Sequence, residues 1–74
     1  MCELCQIITD ETPLWEDDVV FITQKGRIIL KRHSDDCTKD EWSHIWDLFK
    51  KMFKNADGYR GHDTDHFHID VITE

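Results

Sequence analysis

A capping signal followed by an aromatic stripe constrains this chain more than any other feature. Thr38-Lys39-Asp40-Glu41 has the Thr-x-x-Glu spacing of a capping box, in which two side chains satisfy backbone N–H groups of the first turn. Trp42, Ile45, Trp46, Phe49 and Phe53 follow at helical spacing and predict one broad apolar face. Lys50, Lys51 and Lys54 stand in the last turns, where cations suit the helix dipole, and "NADGYRG" is expected to stop the helix. A stripe that wide must be buried against another layer.

The flanking segments offer strands for that layer. Val19 to Thr23 and Ile28 to Leu30 are rich in β-formers, and "QKG" between them predicts a hairpin turn with Gly26 free to take positive φ. A last strand is expected from about Asp65 to Thr73. Residues 2–10 read as a short helical turn or an irregular segment, ended by "ETP", because Pro13 biases Thr12 away from helix. The order is short helix, strand, strand, long helix, strand. That predicts a single α+β domain over 1–74, with one long helix packed on a small antiparallel sheet.

At 74 residues such a domain sits near the size where a hydrophobic core alone becomes marginal, so a staple is expected. A disulfide framework is a poor candidate, since the three cysteines, Cys2, Cys5 and Cys37, are odd in number and no signal peptide opens the chain. Cys2 and Cys5 form Cys-x-x-Cys, which reads as half of a tetrahedral zinc site, as a redox pair, or as ordinary buried thiols. Cys37 lies in a polar loop before the helix cap and reads as a bystander.

Charge narrows the partners. The chain carries 9 Lys/Arg against 16 Asp/Glu, a net charge of -7, which argues against binding long nucleic acid through its phosphates. A local exception is "QKGRIILKRH", where Lys25, Arg27, Lys31 and Arg32 gather, enough for a small anionic ligand. No apolar run approaches the roughly 20 residues that span a bilayer. Together with the absence of a secretory or transit signature, this makes no membrane partner and a cytoplasmic location the expectation.

The histidines carry the chemistry. "HFHID", residues 66 to 70, alternates polar and apolar residues, so in a strand His66, His68 and Asp70 share one face and Phe67, Ile69 and Val71 the other. One imidazole of that pair can bind metal while the other serves as a nucleophile near neutral pH. His33, after the basic strand, reads either as a further metal ligand or as a solvent-facing strand end. His44 falls off the aromatic stripe and reads as a surface residue, and His62 in "GHDTD" reads as a solvated loop residue.

Taken together, these residues resemble the histidine-triad (HIT) superfamily of nucleotide hydrolases and transferases, whose hallmark is His-φ-His-φ-His-φ-φ on a strand. "HFHIDVI" is similar to that hallmark, "CELCQIITDETPLWEDDVVFI" to the family's N-terminal segment, "GRIILKRH" to its basic strand, and "GHDTDH" to its lead-in. The resemblance implies a structural Zn2+ held by Cys2, Cys5, His33 and His66. It implies that His68 attacks the α-phosphate of a small nucleotide and becomes nucleotidylated, with Arg27, His62 and Asp70 at substrate-facing positions. It also implies a possible homodimer, for which Trp42 or Trp46 would be candidate surface residues, although both fit a core position. The departure is Asp70 in place of the third His. A carboxylate there would repel a phosphate oxygen by roughly 4 kcal/mol at 4 Å in an effective dielectric near 20, or would hydrogen-bond an imidazole and favour its cationic form. The expected function is therefore a nucleotidyl hydrolase or transferase. The alternative is a zinc-stapled module of the same fold that has lost catalysis and binds a nucleotide or a protein.

Overall fold

The computed structural model of the protein describes residues 2–61 and 66–72. Its elements run α1 (Glu3–Asp10), β1 (Trp15–Glu16), β2 (Val20–Ile22), β3 (Arg27–Leu30), α2 (Lys39–Met52), β4 (Gly58–Gly61) and β5 (His68–Ile72). The strands form one antiparallel sheet in the order β1-β2-β3-β5-β4. The α+β class and the long helix on a small sheet are as the sequence predicts.

The capping box forms in full. Thr38 Oγ1 accepts from the Glu41 N–H at 3.1 Å, and the Glu41 carboxylate accepts from the Thr38 N–H at 2.7 Å. Arg32 donates to both carboxylate oxygens of Glu41, at 3.1 and 2.7 Å, which ties the chain after β3 to the start of α2. The Arg32 guanidinium first, and the Thr38 N–H second, hold the Glu41 carboxyl down at about 2.

Strand alternation gives the sheet two buried faces. Val20, Ile22, Ile28 and Ile69 point to α2 and pack with Ile45, Leu48 and Phe49, while Trp42, Phe53, Phe67 and Val71 border this core. Phe21 and Ile29 point the other way and pack with Leu4, Ile7 and Ile8 of α1. Residues 2–10 thus hold a true helix that covers the β2–β3 part of the second face, and the unbroken apolar run of β2 follows from burial on both sides.

Three boundaries differ from expectation. "NADGYRG" does more than stop α2, since Gly58–Gly61 pairs with β5 as an edge strand. The final strand begins at His68, so His66 and Phe67 precede it; the expected ends at Asp65 and Thr73 lie outside the described residues. Helix α2 ends at Met52 with Phe53 as its C-cap, which leaves Lys54 beyond the last turn. Trp42 borders the core, whereas Trp46 and Tyr59 stand at its rim, 38% and 41% exposed. Among the described residues, no helix is long and apolar enough to cross a membrane.

The hairpin turn depends on Gly26, whose φ is +94° and whose N–H donates to Thr23 O at 3.1 Å. Its carbonyl accepts from the Val71 N–H at 3.0 Å, so the turn also helps register β5. Gly26→Ala should destabilise the fold by at least about 1 kcal/mol in urea unfolding, because an L side chain is strained at that φ. A second expectation concerns Glu41. Its folded carboxyl sits below the ordinary 4.5, so the stabilisation is complete above pH 4.5 and is lost as pH falls toward about 2. Glu41→Gln should lower the urea midpoint at pH 6, and its difference from wild type should shrink steadily between pH 4.5 and 2.

Candidate metal centre

Three elements bring four ligand atoms to one end of the sheet. Cys2 is the N-cap of α1, its Sγ accepting from the Cys5 N–H at 3.2 Å, and Cys5 lies one turn on. An i, i+3 spacing at a helix start puts both sulfurs on the same side. His33 follows the end of β3 and His66 precedes the start of β5. Because β3 and β5 are antiparallel neighbours, those two points are adjacent in space. The connection is braced by the Leu30 N–H to Phe67 O at 3.2 Å and the Phe67 N–H to Ser34 O at 2.6 Å.

The donor atoms of Cys2, Cys5, His33 and His66 all lie within 4.8 Å of one another. Cys2 Sγ is 3.4 Å from His33 Nδ1 and 3.3 Å from His66 Nδ1. Cys5 Sγ is 3.2 Å and 3.4 Å from the same two nitrogens. A tetrahedral ion with bonds of about 2.3 Å to sulfur and 2.0–2.1 Å to nitrogen has S···N edges of about 3.5 Å. All four observed edges fall within a few tenths of an ångström of that value. The quartet is arranged to hold one tetrahedral metal ion.

The surroundings prepare these donors. His66 is 1% exposed, and its Nε2 bonds the carbonyl of Leu30. A carbonyl can only accept, so Nε2 carries the proton and Nδ1 presents its lone pair to the sulfurs, the usual outer support of a metal-bound imidazole. The His33 ring meets the His66 ring edge-on, with centroids 5.0 Å apart at 82°. The hydrogen bond from Cys5 is the main cause that pulls the Cys2 thiol from 9.0 to about 6, and the same bond pushes Cys5 up. His33 is exposed, which leaves the centre one side open to solvent.

His68 sits on the α1 face of β5, opposite Ile29 and 5% exposed. Its Nδ1 lies 3.1 Å from the carbonyl of His66, so Nδ1 donates. His66 of the candidate metal centre and His68 are therefore linked through one backbone carbonyl. Asp70 lies opposite Arg27, whose Nε donates to Asp70 Oδ1 at 2.7 Å. Asp70 therefore enters this face as half of an ion pair with Arg27. His62 lies outside the described residues.

His44 is more than a surface residue. Its Nε2 is 2.6 Å from Asp17, which also accepts from Trp15 Nε1 and from the N–H groups of Val19 and Val20. Burial opposes ionisation of Asp17, but the Val20 N–H, His44, the Val19 N–H and Trp15 outweigh it and hold its carboxyl at about 2. The sequence signal was available in Asp17 standing two and three residues before Val19 and Val20, a spacing at which Asp side chains accept backbone N–H groups.

Comparison with models of known protein families, with curated proteins and with solved structures finds no significant match for this chain. The centre can be tested directly. Purified protein should bind about one equivalent of metal by elemental analysis, and a chelator should lower its melting temperature. Cys5→Ser and His66→Ala should each hold less than half an equivalent.

Proposed function

We propose that this chain is a zinc-stapled HIT-like domain that binds a small nucleotide and transfers its nucleotidyl group through His68. The choice of zinc rests on the donor chemistry: two thiolates and two imidazoles in tetrahedral array suit zinc best among common cellular ions. Its part here is structural, supplying cross-link energy to a small core.

One observation carries the catalytic reading. The His66 carbonyl engages His68 Nδ1, so in this reading Nε2 is the attacking nitrogen. Nε2 attacks the α-phosphorus, a P–N bond forms, and the bond from phosphorus to the leaving group breaks, the leaving group taking a proton from solvent. Water or another acceptor then attacks the same phosphorus. Its oxygen becomes bonded there, the P–N bond breaks, and His68 returns to its neutral state with the acceptor's proton lost to solvent.

A second reading is favoured by the burial of His68 at 5% exposure, the state of an imidazole used for packing and hydrogen bonding. In that reading the domain binds a nucleotide or a protein partner without turnover. Incubation with adenosine phosphoramidate, followed by intact-mass analysis, separates the two. A protein-bound adenylate that disappears in His68→Ala supports transfer. Turnover no higher than background, at the same rate in wild type and His68→Ala, leaves the binding module.

A further inference from the structure

Three charged residues stand in a row across the face that carries His68. Asp70 on β5 is directly opposite Arg27 on β3 and directly opposite Arg60 on β4. Residues paired in this way in an antiparallel sheet project to the same face, with Cβ atoms roughly 5 Å apart. His68 is two residues back along β5 on that face, roughly 7 Å away. The row is thus Arg27, Asp70, Arg60, with an imidazole beside its centre.

We infer that Arg27 and Arg60 form the contact site for a phosphate monoester beside His68, and that Asp70 is a positioning residue that orients Arg27. The inference deepens the nucleotide-binding reading above and rests on that part of it. The register sets one acidic residue between two arginines, so the row carries a net positive charge inside a chain whose total is -7. Asp70 engages the Nε of Arg27, which leaves the terminal nitrogens of that guanidinium to meet an oxyanion in the planar, paired manner that arginine favours. The ion pair is only half exposed, with Arg27 and Asp70 side chains at 36% and 31%, so one rotamer of the long Arg27 chain is held in place. Arg60 is exposed on the edge strand β4 and can close on the ligand from the other side.

This arrangement reverses the role that the sequence suggests for Asp70. If the carboxylate merely repelled phosphate, removing its charge would improve binding. If it positions Arg27, removing its charge loosens the site.

Binding of AMP, adenosine and inorganic phosphate by calorimetry distinguishes these outcomes, with thermal melts as a check on folding. Wild type should bind AMP about tenfold more tightly than adenosine. Arg60→Ala and Asp70→Asn should each remove most of that preference while leaving adenosine affinity unchanged, and Arg60→Ala should also keep the melting temperature. Arg60→Lys should retain part of it. Since Arg60 lies on an exposed edge, its variants test the idea even if Asp70→Asn unfolds. Competition of inorganic phosphate with AMP, weakened in Arg60→Ala, supports a phosphate site as such. Equal affinity of wild type for AMP and adenosine overturns the inference, and so does tighter AMP binding by Asp70→Asn. Neither result depends on turnover, so the His68 adduct experiment judges catalysis separately: a preference for AMP without adduct removes the enzyme and keeps the phosphate site.

Discussion

The architecture turns on His66, which meets three constraints with one residue. Its Nδ1 faces the two thiols, its Nε2 bonds the Leu30 carbonyl, and its own carbonyl accepts from His68. The first of these belongs to the candidate metal centre, the second to the end of β3, and the third to the face of β5 that carries His68. None of the three can shift far without disturbing the others, because the ring is buried. Burial also makes each bond costly to lose, since an unsatisfied imidazole nitrogen would find no water to replace its partner.

That junction explains why a short N-terminal helix matters in so small a protein. Helix α1 has eight residues and would be marginal alone. It is held by Leu4, Ile7 and Ile8 against Phe21 and Ile29, and at its start by the two cysteines. The β2–β3 part of the second face is covered by this helix, and any ion bound to the quartet joins α1, β3 and β5 across more than sixty residues of sequence between Cys2 and His66. A cross-link of that span restricts the unfolded chain far more than a local contact does.

The Arg27–Asp70 pair shows how a cross-strand neighbour can change the meaning of a residue. Read along β5, Asp70 is an acid where a basic group suits an anion. Read across the sheet, it is neutralised by Arg27 and lies beside Arg60. Local sequence carries no record of that register, which arises because the hairpin turn at Gly26 sets where β3 begins and Val71 then bonds to the same glycine.

Much of the fold was legible because its signals are local. The capping box, the aromatic stripe of α2, the hairpin at Gly26 and the alternation of Phe67, Ile69 and Val71 depend on residues within a turn or a strand of one another. The metal quartet was legible only as donor types at separated positions, with His33 ambiguous. What placed His33 and His66 together is the antiparallel pairing of β3 with β5, a long-range contact. Strand β4 was hidden because Gly58 and Gly61 read as turn residues, and a four-residue edge strand exists only through its partner. Sequence by itself determined the helix, the hairpin and the inventory of thiols, imidazoles and charges, since these follow from local periodicity and side-chain chemistry. Tertiary structure alone decided which of them meet, because strand register is chosen by burying the apolar residues of both faces at once.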